Sequence, residues 1–106
     1  MNNVDLVKHF LRGQNLEQLG RVTEAVALYE SAVEQGFDSS GPYDRLITLY
    51  SDQARHADVV RVAEAALDHV HTYPDKKAWY EVMRAEALKA QTRVPKAAPK
   101  GEPGAT

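Results

Sequence analysis

The stretch "RVTEAVALYESAVEQ", Arg21 to Gln35, returns as "RHADVVRVAEAALDH", Arg55 to His69, at an offset of 34 residues. Arg21, Val26, Glu30 and Ala32 recur as Arg55, Val60, Glu64 and Ala66. Glu24/Asp58, Leu28/Val62, Val33/Leu67 and Glu34/Asp68 keep their character. Within the first copy Val22, Val26, Tyr29 and Val33 form one apolar stripe, and Ala25, Leu28 and Ala32 form another beside it. So wide an apolar face predicts a helix with neighbours on two sides. A helix that returns at a fixed interval predicts a chain built from repeated supersecondary units.

The flanking sequence supplies the other helices. Leu6, Val7, Phe10, Leu11, Leu16 and Leu19 have helical spacing; Asn3 is the expected N-cap and Gly20 the expected stop. Thr23-Glu24 opens the second helix, and Gly36 closes it. A third helix begins at Ser40 or Gly41, tolerates Pro42 in its first turn, and buries Tyr43, Leu46, Ile47, Leu49 and Tyr50. The fourth spans about Asp58 to Val70, and Pro74 separates it from a fifth, which Asp75 caps and Trp79, Val82, Met83, Ala85 and Leu88 anchor. No segment alternates apolar and polar residues as a half-buried strand would. These signals predict an all-α domain over residues 1–91: a hairpin at 4–36, a hairpin at 40–71 and a capping helix at 75–91. The stretch 92–106, "TRVPKAAPKGEPGAT", has three prolines and no large aliphatic after Val94, so it is expected to be a disordered tail.

Composition narrows the function. The 106 residues suffice for one small domain, with 43% hydrophobic and 26% charged residues. A net charge of −2 argues against nucleic-acid binding through a basic face. The absence of cysteine excludes disulfides and thiolate metal sites. The N-terminal "MNNVDLVKHF" lacks a signal-peptide pattern and the apolar runs are too short to span a bilayer, so a cytoplasmic setting without a membrane is expected.

The residues Gly13, Leu16, Gly20, Ala25, Tyr29 and Ala32, with Tyr43, Leu46, Tyr50, Ala54 and Ala66 one period later, give the chain its likeness to a known family. It resembles the tetratricopeptide repeat (TPR) family over roughly residues 6–90. The resemblance implies a right-handed stack of antiparallel helical hairpins, a short α-solenoid of five helices. The second copy departs from the pattern: Ile47 stands for Gly13, Val59 for Ala25 and Ala63 for Tyr29, so large and small residues trade places. Gly13 within a helix costs about 1 kcal/mol relative to alanine, which a close helix–helix approach explains; Ala25 and Ala32 are expected to face it.

No nucleophile elbow, phosphate loop or His-Glu-x-x-His helix is present, so no enzymatic activity, cofactor or metal is expected. His69 and His71 point apart on a helix and read as solvated helix-end residues. What the family resemblance implies is a protein-interaction module whose concave groove, lined by the first helices, takes a partner peptide. Carried over by alignment, the groove residues are Gln14, Glu17 and Gln18, then Asp44, Thr48 and Ser51, then Lys77 and Arg84 from the fifth helix. The subclass that clamps chaperone C-terminal carboxylates is not matched, since Phe10, Gln14 and Arg45 occupy clamp positions and only Lys77 keeps the charge. The alternative is a structural self-association module, a homodimer that covers the open ends of a two-repeat stack.

Overall fold

A computed structural model describes residues 2–97. Five helices follow one another: α1 (Asn3–Gln18), α2 (Val22–Glu34), α3 (Ser40–Asp52), α4 (His56–His69) and α5 (Lys76–Ala97). No strand occurs among the described residues. Each helix packs chiefly on its neighbours in sequence, with α1 and α5 at the two ends. A radius of gyration of 15.6 Å exceeds the roughly 13 Å of a spherical domain near 100 residues, as side-by-side hairpins require.

The helix ends are set by local chemistry. Asn2, rather than Asn3, caps α1: its side chain accepts from the Asp5 amide at 2.9 Å. The cap must lie one residue outside the first helical φ/ψ pair, and Asn3 is already helical. Likewise Ser39 is the N-cap residue of α3, one position before the expected Ser40 or Gly41, and its side chain makes no capping bond. At the end of α1, Gly20 lies at φ +79°, with Gly20 N–H donating to Glu17 O and Arg21 N–H to Leu16 O. These two bonds are a Schellman cap. Gly36 repeats it at φ +68°, and Ala54, the 34-residue counterpart of Gly20, repeats it at φ +56° without the freedom of a glycine. The fourth helix starts at His56, two residues before the expected Asp58. The fifth runs to Ala97, through six residues of the predicted tail. Thr92 Oγ1 still donates to Leu88 O at 2.8 Å. Lack of apolar residues removes a reason to bury this segment, yet it does not stop a formed helix from propagating. The remainder of the predicted tail, 98–106, lies outside the described residues.

Tyr29, Tyr43, Leu46, Ile47, Val59, Val62, Ala63 and Ala66 are completely or almost completely buried and form the centre of the core. Gly13 explains how Tyr29 reaches that position. A Cβ on Gly13 would stand 2.5 Å from Tyr29 Cε1, so the ring of Tyr29 is the group nearest the bare backbone of α1. In the second hairpin Ile47 and Ala63 take the two places, and both are fully buried. The interface keeps one large and one small partner, with the helices exchanged. Between the hairpins Gly41 does for Phe10 what Gly13 does for Tyr29, with a hypothetical Cβ 2.5 Å from Phe10 Cζ.

Candidate functional site

Three carboxylates organise the polar side of the stack, each accepting from a core tyrosine and from a base on a neighbouring helix. Glu17 of α1 accepts from Tyr29 Oη at 2.7 Å and from Arg45 of α3 at 2.9 and 2.6 Å. Glu30 of α2 accepts from Tyr50 Oη of α3 and from Arg61 of α4 at 3.0 and 2.6 Å. Asp44 of α3 accepts from Lys76 and Tyr80 Oη of α5, both at 2.8 Å. For these three tyrosines the pattern follows from burial, since each ring fills the core and brings its hydroxyl to a carboxylate at the core's edge; the hydroxyl of the buried Tyr43 has no such partner among the described residues. Paired local bridges also recur at the repeat interval, Arg21 with Glu24 and Arg55 with Asp58.

These bonds shift the groups' acidities. The Arg45 hydrogen bonds hold the Glu17 carboxyl below the usual 4.5 against the opposing effect of burial. Burial raises Glu30, but the hydrogen bonds of Arg61 and Tyr50 outweigh it and leave Glu30 lowered. Burial, then the adjacent Glu30, pushes the Tyr50 phenol up to about 12. Tyr29 and Tyr80 are raised well above 10 by burial and by their carboxylates. All three phenols are therefore neutral donors near pH 7.

The eight groove residues expected from the sequence fall into separate settings. Gln14, Glu17 and Gln18 come together with Arg45 around one open hollow. The Glu17 carboxylate is only 16% exposed and is already occupied. Asp44 is likewise engaged, by α5. Ser51 lies at a second hollow with His56, Met83 and Glu86, and Lys77 at a third with Leu67, Val70 and Pro74. Arg84 turns toward Glu64 of α4, 4.0 Å away. Thr48 is half-buried on α3, at the position of Gln14 one repeat later. The side chains of Gln14, Gln18, Thr48 and Ser51 make no hydrogen bond within the described residues.

Arg45 was legible only as a departure from a clamp pattern; its role as the tie between hairpins depends on a pairing 28 residues distant. The repeat interval does contain a hint, because Arg45 replaces the apolar Leu11 at an equivalent position. Among the described residues no group of three or more His, Cys, Asp or Glu side chains is placed to hold a metal ion, and no helix is long and apolar enough to cross a membrane. No protein-family model, curated protein or solved structure matches the chain.

Proposed function

We propose that this chain is a TPR-like interaction module, non-catalytic and cytoplasmic, that takes up an extended partner peptide in the concave groove lined by α1 and α3. The observation that carries the reading is the unused hydrogen-bonding capacity of Gln14, Gln18, Thr48 and Ser51, beside charged neighbours that are already paired. An extended peptide exposes N–H and C=O groups that need partners, and amide and hydroxyl side chains serve both. Glu17 and Asp44 belong to this reading as supports: they hold α1, α3 and α5 at fixed spacing and leave the amides free. Lys77 and Arg84 stand at the periphery of the peptide path. A surface this short gives an affinity on the order of micromolar.

The test is a selection of peptides on the immobilised chain, followed by amide chemical-shift mapping with the best binder. Shifts clustered at Gln14, Gln18, Thr48 and Ser51, and lost binding in the Gln14→Ala, Thr48→Ala double variant, are the expected result. Shifts confined to the hollow of Ala27, Ser31 and Glu34 on α2 would refute the assignment.

A further inference from the structure

The outer face of α1 carries an apolar ridge. Val4, Val7 and Leu11 are spaced by three and four, so they share one face, and they are 61%, 44% and 52% exposed. Such a contiguous strip differs from singly scattered surface residues, which need no explanation.

Val7 and Leu11 stand where α3 has Gly41 and Arg45, which meet Phe10 and Glu17 of the preceding hairpin, but the rest of that stacking surface is not kept on α1. Pro42, Leu46 and Leu49 of α3 are buried or half-buried, and their counterparts one repeat earlier are Lys8, Arg12 and Asn15, all exposed. At the other end the buried Tyr43, Ile47 and Tyr50 correspond to Lys77, Glu81 and Arg84 of α5. Extension in either direction would bury unpaired charge, which is strongly unfavourable. Head-to-tail polymerisation is thereby disfavoured, and a closed contact between like faces is left.

The charges beside the ridge fit such a contact. Asp5, Lys8 and Arg12 lie along one flank and take part in no ion pair among the described residues, whereas Arg21, Arg45, Arg55, Arg61, Lys76 and Arg84 each have a carboxylate. In two antiparallel helices related by a two-fold axis, like flanks face each other, so residues equidistant from the axis on opposite sides meet. With the axis close to Val7 and Lys8, Val4 of each copy meets Leu11 of the other. Asp5 then comes between Lys8 and Arg12 of the other copy, and the lysine stems can cover apolar surface while their ammonium groups stay in water. The segment 98–106 has no large apolar side chain with which to cover the ridge instead.

We propose that two copies of this chain pair through α1, antiparallel about a two-fold axis near Val7, with Val4 of each seated against Leu11 of the other. The pairing uses the N-terminal part of the α1 ridge and the flank that carries Asp5, Lys8 and Arg12; Gln14 and Gln18 continue the same stripe beyond Leu11, past the residues that meet the other copy.

Sedimentation equilibrium of the full chain tests it. The expected result is a mass approaching twice 11.8 kDa at ~100 μM chain. Leu11→Glu is expected to weaken association at least about tenfold with unchanged far-ultraviolet circular dichroism. Arg12→Asp is expected to weaken it as well, and the exchange Asp5→Arg with Arg12→Asp to restore it, which keeps the test sound if Leu11→Glu disturbs folding. Because the chain has no cysteine, Val7→Cys gives a single reporter at the axis, and it is expected to close a disulfide dimer faster than Val82→Cys on the opposite edge. A monomer up to ~200 μM, a dimer indifferent to both the Leu11→Glu and Arg12→Asp changes, or faster closure at position 82 would overturn the proposal.

Discussion

Ala54 holds a left-handed conformation that its side chain opposes. It is the single non-glycine at positive φ among the described residues, and it terminates α3 with the same pair of bonds that Gly20 provides for α1. The left-handed region costs a residue with a Cβ roughly 1–2 kcal/mol. Ala54→Gly is therefore expected to stabilise the fold by about 0.5–1 kcal/mol, after allowing for the greater unfolded-chain entropy of glycine. Urea denaturation measures this, and a loss of stability would mean that the cap is not the one described. Gly13 carries the opposite expectation. A methyl group there meets the Tyr29 ring at 2.5 Å, and Glu17 tethers the ring's hydroxyl. Gly13→Ala should therefore destabilise by about 1–2 kcal/mol, even though alanine gains about 1 kcal/mol in helix propensity. The need for a small residue at position 13 was legible in the sequence, because a glycine inside a helical pattern demands a reason. The identity of the group that fills the space was not, since that depends on the rotamer of a ring sixteen residues away.

Helices and hairpins were the most legible scale, because apolar spacing fixes which face is buried. Expected stops at Gly20 and Gly36 coincide with left-handed caps. Starts were displaced by one or two residues at α1, α2, α3 and α4, where the capping residue lies just outside the helical segment and several polar residues compete for the role. The alanine contacts are a direct test of how the elements meet. Ala32 is fully buried in a small cluster with Leu6 and Phe37, and Ala66 is fully buried in the main core. Ala32→Leu and Ala66→Leu are each expected to cost about 1–3 kcal/mol through overpacking, measured as a lower midpoint in thermal or urea unfolding. Neutral behaviour at both would contradict the close approach of the paired helices. The carboxylate–tyrosine–base ties belong to a level that sequence periodicity does not encode. A charged residue at a helix edge reads as solvated until its partner's position is known, and here each partner lies on another helix.

In the whole molecule the lightest contact between successive helices is that of α2 with α3, the junction between the two hairpins, whereas α4 and α5 pack most extensively. Two of the three carboxylate ties cross this junction: Glu17 reaches Arg45, and Glu30 reaches Tyr50 and Arg61. Both acids titrate below the usual 4.5 in the folded chain. A depressed acid stabilises the fold fully above its ordinary value. That contribution is lost as the pH falls below 4.5 and through the folded-state pKa, because the unfolded chain then binds the proton more readily. In a stack whose units hold mainly their nearest neighbours, weakening one junction weakens cooperativity at that point first. Acidification below about pH 4 is therefore expected to release α1 and α2 from α3, α4 and α5 before the rest unfolds. Amide proton exchange followed by nuclear magnetic resonance between pH 6 and pH 3, corrected for intrinsic exchange rates, should show protection lost in Val22–Glu34 while Val59–Ala66 stays protected. Glu17→Gln with Glu30→Gln should produce the same pattern at pH 6, since the amides keep the shape and remove the charge. A single loss of protection across all five helices, in acid and in the double variant alike, would show that apolar packing alone joins the hairpins and that the charged ties only decorate the junction.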